Sequence, residues 1–138
     1  MIYVIDASVA LKWFVSEEGC EKAVSLREKQ ISGEADFAAP DLLLYEVAHV
    51  LVAKKHFDVS EAQDAIGCVL DVVADVVAPD RALMDNAIQL ARQFGLSVYD
   101  ACYAALASKQ DAVLVTDDRE LLLTARRMGI QVSLLETL

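Results

Sequence analysis

Short apolar runs and helix-period stretches alternate along the whole chain. Residues 2–5 are apolar and partly β-branched and end at Asp6, the pattern of a strand buried on both faces, and 7–14 then reads as helical. A helix over 18–31 stops at Gly33, which suits a left-handed cap, and 36–39 supplies a second short strand. Pro40 and Asp41 open the next helix, 42–55, with Asp41 as its N-cap. Ser60 with Gln63 has capping-box spacing and opens a helix to about 73. The segment Asp75-Val-Val-Ala-Pro-Asp80 echoes Asp36-Phe-Ala-Ala-Pro-Asp41, so two equivalent strand-to-helix corners are expected. Helix 80–94 ends at Gly95 and helix 99–109 follows; 112–115 is a fourth strand, and helix 118–127 ends at Gly129 before a fifth, 130–134. Five short strands separated by helices call for right-handed crossovers and a parallel sheet covered on both faces, a three-layer α/β/α sandwich. No linker or longer repeat divides the chain, so 1–138 is expected to form a single domain.

Composition adds a partner expectation. Apolar residues make up 56% of 138, a high share for a small chain with much surface, so some apolar area is expected in an interface and at least a dimer follows. The apolar stretch 42–57 with the helix after Ser60 is the expected face, because Leu43, Val47, Val50 and Leu51 are not expected all to face one small core. Charge changes the picture more. Twelve Lys and Arg stand against 22 Asp and Glu, a net charge of −10, which repels a nucleic-acid backbone unless a cation intervenes. Cys20, Cys68 and Cys102 form an odd set without CxxC spacing, which fits reduced thiols in the cytoplasm. The first residues carry neither a basic leader nor a long apolar core, and the apolar run 42–53 is interrupted by Glu46 and His49, so no membrane anchor is expected.

The acids carry the chemistry. In an open parallel sheet, ligands bind beyond the carboxyl ends of the strands where strand order reverses. With order 3-2-1-4-5, Asp6 after strand one and the Asp117-Asp118 pair after strand four meet there, and like charges so placed need a cation. Asp41 and Asp80 are read as plain helix caps. Asp117 with Glu120 also has capping spacing, which leaves Asp118 to point into the crevice. Glu46 lies in a helix apolar nearly all round, where a carboxylate must be paired or ligated; a salt bridge to Lys12 or His49 is the alternative to ligation. Asp100 stands among small and apolar neighbours in Ser97-Val-Tyr-Asp-Ala-Cys-Tyr, with an N-cap as its alternative role. Together these acids describe an oxygen-ligand site of the kind that suits Mg²⁺ or Mn²⁺. Lys12 and Arg119 are candidates for phosphate contact, against the commoner reading of isolated basic residues as solvated charge.

Four segments carry a resemblance: Val4-Ile-Asp-Ala-Ser8, Leu43-Leu-Tyr-Glu-Val-Ala48, Leu96-Ser-Val-Tyr-Asp-Ala-Cys-Tyr-Ala-Ala-Leu106 and Val115-Thr-Asp-Asp-Arg-Glu-Leu121. In this order and at these separations the sequence resembles the PIN-domain ribonucleases, and within them the toxin subunits of VapBC-type toxin–antitoxin modules. The resemblance implies that Asp6, Glu46, Asp100 and Asp118 are an acidic quartet holding one or two Mg²⁺ or Mn²⁺ ions. Ser8 and Thr116 are implied as supporting polar groups, and the adjacent Asp117 leaves the position of the fourth ligand open by one residue. It also implies hydrolysis of RNA phosphodiesters and an antitoxin whose basic segment lies over the cleft. Two rival readings remain: a receiver-like phosphoacceptor module, which needs a Lys after strand five that the chain lacks, and a PIN-like subunit that binds without catalysis.

Overall fold

A computed structural model describes all 138 residues, Met1–Leu138. Strand β1 (Ile2–Ile5) is followed by a short helix α1 (Ala7–Ala10) that tightens into a 3-10 turn, Leu11–Trp13. Helix α2 (Cys20–Ile31), strand β2 (Asp36–Pro40) and helix α3 (Leu42–His49) come next, and α3 widens into a π turn over Val50–Lys54. Then follow α4 (Val59–Val72), β3 (Asp75–Val77), α5 (Arg81–Phe94), α6 (Val98–Gln110), β4 (Val113–Thr116), α7 (Arg119–Arg127), β5 (Val132–Leu134) and a closing 3-10 turn, Leu135–Thr137. No helix is long and apolar enough to cross a membrane.

The five strands form one parallel sheet, as the pattern predicts, with helices on both faces. Their order, β3-β2-β1-β4-β5, is the one taken above as the condition for Asp6 to meet the Asp117-Asp118 pair. Strand β1 sits in the middle: Val4 pairs with Ala38 of β2 and with Leu114 of β4, and Ile5 with Val115. Val4 and Ile5 are fully buried, which explains a strand with no polar alternation. Helix α6 lies across this centre, touching β1, β2 and β4. Its residues Ala101, Cys102, Ala104, Ala105 and Ala107 are small and buried, so its backbone comes close to the sheet.

Several local expectations are corrected. Helix α4 opens at Val59 on an Asp58/Glu61 capping box, not on Ser60/Gln63: Asp58 accepts from the Glu61 N–H at 2.8 Å, and Glu61 accepts from the Asp58 N–H at 3.1 Å. The two boxes overlap by two residues, Ser60 and Glu61, and the one with acids at both positions suits the helix dipole better. Asp80 caps α5 by accepting from the Leu83 N–H at 2.7 Å, but Asp41 makes no cap bond because its backbone is already helical. The two Pro-Asp corners are therefore not equivalent: β2 runs through Pro40, and the Asp41 N–H still donates to Val77 O of β3, whereas β3 stops two residues before Pro79. Leu43, Val47 and Leu51 do all face the protomer's own core, fully buried at helical spacing, each contributing about 1.5–3 kcal/mol of apolar burial. The large apolar residues left exposed around them are Tyr45, Val52, Val59 and Leu70.

Candidate active site

The register of β1 and β4 builds the site. Ile5 pairs with Val115 and the Asp6 N–H reaches Val115 O at 3.4 Å, which sets Asp6 beside Thr116 where the strand order reverses. Asp6 is only 7% exposed. Its carboxylate accepts from the Ser8 hydroxyl at 2.6 Å, the Thr116 hydroxyl at 2.5 Å and the Val9 N–H at 3.2 Å. Burial pushes its pKa up to about 6 against the pull of those bonds, and the charge of Asp100 adds to the rise. Both hydroxyls are used twice, since Ser8 accepts from the Asp117 N–H at 3.0 Å and Thr116 from the Asp118 N–H at 3.1 Å. Ser8 and Thr116 thus tie Asp6 to the turn that follows β4.

At that turn the cap expected at Asp117 is made by Asp118 instead. Asp118 is the N-cap of α7, accepting from the Glu120 N–H at 2.9 Å and the Leu121 N–H at 3.2 Å. Asp117 does not cap; it turns away to Lys12, 3.2 Å from the ammonium. The physical reason is Lys12 itself, 7% exposed and held also by Glu18 O at 2.6 Å and Glu17 at 3.4 Å. Burial opposes its charge, but Asp117 and Glu17 outweigh that and raise its pKa. Lys12 is a buried structural cation here, and the exposed Arg119 pairs with Glu136 at 2.5 Å.

Glu46 forms neither of the salt bridges, to Lys12 or His49, weighed as the alternative to ligation. It is half-buried in α3 and accepts from the Tyr103 hydroxyl of α6 at 2.7 Å. Burial raises its pKa, the Tyr103 bond works against that, and the charge of Asp100 adds to it. Tyr103 is buried, and burial together with the Glu46 charge holds its phenol well above the usual range, so it remains a neutral donor. The sequence reading missed Tyr103; its signal is the three-residue spacing from Asp100, which puts the two on one helix face. Asp100 is not an N-cap, because Ser97 caps α6 by accepting from the Asp100 N–H at 3.0 Å. The Asp100 pKa is raised by burial and then by the charge of Asp118, with which it lines a cleft of about 300 Å³.

Asp100 is therefore the common neighbour: its charge is felt at Asp6 and Glu46, and that of Asp118 is felt at Asp100. Each of the protein's five ion pairs involves other acids, so none of the four has a Lys, Arg or His partner. The side chains are not drawn into a closed shell of three or more ligands. A group of mutually repelling, partly desolvated carboxylates without a protein cation nevertheless has the donor chemistry of a divalent-cation site, and the residues fit such an ion. A cleft of about 650 Å³ around Lys12, Glu18, Asp117 and Glu136 holds none of the four. A receiver-like arrangement is excluded by topology, because β3 is an edge strand separated from β1 by β2, too far for Asp80 to join Asp6.

Known proteins are similar to this chain in sequence and fold. Ribonuclease VapC3 of Pyrobaculum aerophilum is 32% identical over 125 residues, which is 88% of this chain and 92% of that protein. The crystal structure of PAE2754, from the same organism, superimposes with a TM-score of 0.71 at 28% identity and covers 99% of this chain and 85% of its own. VapBC2 from Rickettsia felis, solved bound to a DNA fragment from its promoter, shares the fold at a TM-score of 0.70 and 17% identity, covering 97% of this chain and 98% of that one. Residues 3–127 match the model of the PIN domain, and with these relatives the chain belongs to the PIN domain family.

Proposed function

We propose that this chain is a divalent-metal-dependent endoribonuclease, the toxin of a toxin–antitoxin pair, using Asp6, Glu46, Asp100 and Asp118 to hold one or two Mg²⁺ or Mn²⁺ ions. The observation that supports the reading is a set of carboxylates linked through Asp100, whose charge acts on Asp6 and Glu46 and which itself feels Asp118, with no protein cation paired to any of the four. The kinship with ribonuclease VapC3 supports RNA as the substrate. When bound, the cation would acidify a water and stabilise charge on the scissile phosphate.

The chain's own residues prepare that chemistry. Ser8 and Thr116 fix the orientation of Asp6, the first N–H groups of α7 fix Asp118, and Tyr103 fixes Glu46. All of these are neutral donors, so they orient the carboxylates without cancelling their charge. Glu46 Oε2 and Asp118 Oδ2 carry no protein hydrogen bond and remain available as ligands. No side-chain nucleophile is required. Purified chain should cleave RNA with Mg²⁺ or Mn²⁺ and lose all cleavage in EDTA; equal cleavage in EDTA overturns the reading.

Two partner readings accompany it. With the quartet set aside, 18 acids still face 12 bases, which favours an antitoxin segment rich in Arg or Lys docking near the site. The apolar cleft of about 490 Å³ between the π turn and α4, lined by Val52, Val59, Ile66 and Leu70, supports a homodimer. Three free thiols accord with a cytoplasmic protein.

A further inference from the structure

Tyr45 and Tyr99 each stand one residue before an acid of the quartet, Glu46 and Asp100, yet both rings face solvent, 68% and 65% exposed. Neither hydroxyl makes a hydrogen bond within the protein, and neither ring stacks on another aromatic side chain. The two line one small cleft, about 200 Å³, between the start of α3 and the start of α6. Cys102, two residues after Asp100 on α6, lines it as well, so the cleft runs along the same starts of α3 and α6 that carry Glu46 and Asp100.

The lining decides the occupant. Apart from Asp41 it is apolar or uncharged and holds no Lys, Arg or His, so a phosphate is repelled. Asp41 makes no side-chain hydrogen bond and is free to accept from an N–H donor. A flat, uncharged ring with N–H groups on its edge meets both conditions, and a nucleobase is that object. We propose that Tyr45 and Tyr99 form a stacking platform that holds one unstacked nucleobase of a single-stranded RNA beside the phosphodiester at the carboxylate site. The proposal rests on the ribonuclease reading above and deepens it. Stacking on an aromatic face accepts any base, so the platform selects for single strands rather than for a sequence. A base still in a duplex cannot reach it.

The test uses a single-stranded RNA carrying 2-aminopurine, whose fluorescence falls on stacking, and the variants Tyr45→Leu/Tyr99→Leu and Tyr45→Phe/Tyr99→Phe. Wild-type protein with Mn²⁺ should quench one 2-aminopurine position next to the cut and prefer single-stranded to duplex RNA. The Leu pair keeps apolar bulk but lacks the aromatic face; it should lose the quench and raise KM roughly 10-fold, and the Phe pair should restore both. Both rings are exposed, so the fold should be unchanged by circular dichroism. If the Leu pair cleaves with wild-type KM and an unchanged quench, the platform is refuted while the nuclease stands. If the Leu pair instead turns a dimer into a monomer with KM unchanged, the cleft is a face between copies and the proposal is likewise overturned. Absence of RNA cleavage by wild-type protein with either metal removes the ribonuclease reading itself.

Discussion

The Tyr103 hydroxyl donates to Glu46 Oε1 at 2.7 Å across 57 residues of sequence, joining helix α6 to helix α3. A salt bridge there would have satisfied the half-buried carboxylate and closed it to other cations. A neutral donor holds the side chain in place and leaves its charge intact, which is what a metal ligand requires.

Removing that hydroxyl should therefore loosen the site without unfolding the protein. Tyr103→Phe keeps the buried ring, and Mn²⁺ affinity measured by calorimetry should fall roughly 10-fold. An unchanged affinity would make Tyr103 a packing residue only.

The metal-free protein should lose stability as pH rises from about 4 to about 7. Asp6 titrates near 6 when folded, above the ordinary 3.8, so the folded state binds its proton more tightly than the unfolded state does. The resulting stabilisation is complete below the unfolded value and is lost as pH passes through the folded one. For Asp6 it is on the order of 3 kcal/mol, and Glu46 and Asp100, also raised, act in the same direction. In EDTA at pH 7.5, Asp6→Asn should melt above wild type, and its melting temperature should vary less between pH 4 and pH 7. A wild-type stability that climbs through this window contradicts the assignment.

Asp117 and Asp118 should separate cleanly despite being adjacent. Asp118→Asn keeps an N-cap acceptor but removes a charge beside Asp100, so cleavage and Mn²⁺ binding should drop with little change in melting temperature. Asp117→Asn breaks the Lys12 pair and should lower the melting temperature while preserving most cleavage. The opposite pattern would move the ligand to Asp117.

Oligomeric state tests the apolar cleft. Light scattering should report about twice 15.0 kDa, and Val59→Asp with Leu70→Asp should halve it. A wild-type monomer at micromolar concentration would leave that face without its proposed occupant.

The parallel three-layer sandwich was the most legible property, because it follows from short apolar runs alternating with helices, whereas the strand order entered only as a condition. Glu46 and Asp100 stand out as candidates for a related reason, since they are charged residues in helices otherwise apolar or small. What escaped depends on contacts between distant segments. Glu46 finds Tyr103, Asp117 finds Lys12, and Leu43, Val47 and Leu51 all find room in the core, none of which a local pattern encodes. The cap at Asp58 was missed for a different reason, since two overlapping boxes share one stretch and only their relative energies choose between them.

The central claim is that the four carboxylates hold a cation that cuts within an RNA strand. A covalently closed circular single-stranded RNA tests it most directly, because it has no end for an exonuclease to use. Wild-type protein with Mg²⁺ or Mn²⁺ should linearise the circle, EDTA should stop it, and Asp100→Asn should lose at least nine-tenths of the activity, on the order of the loss expected for a disrupted metal site, while still folding. An intact circle beside a degraded linear control, or an Asp100→Asn protein as active as wild type, would contradict it.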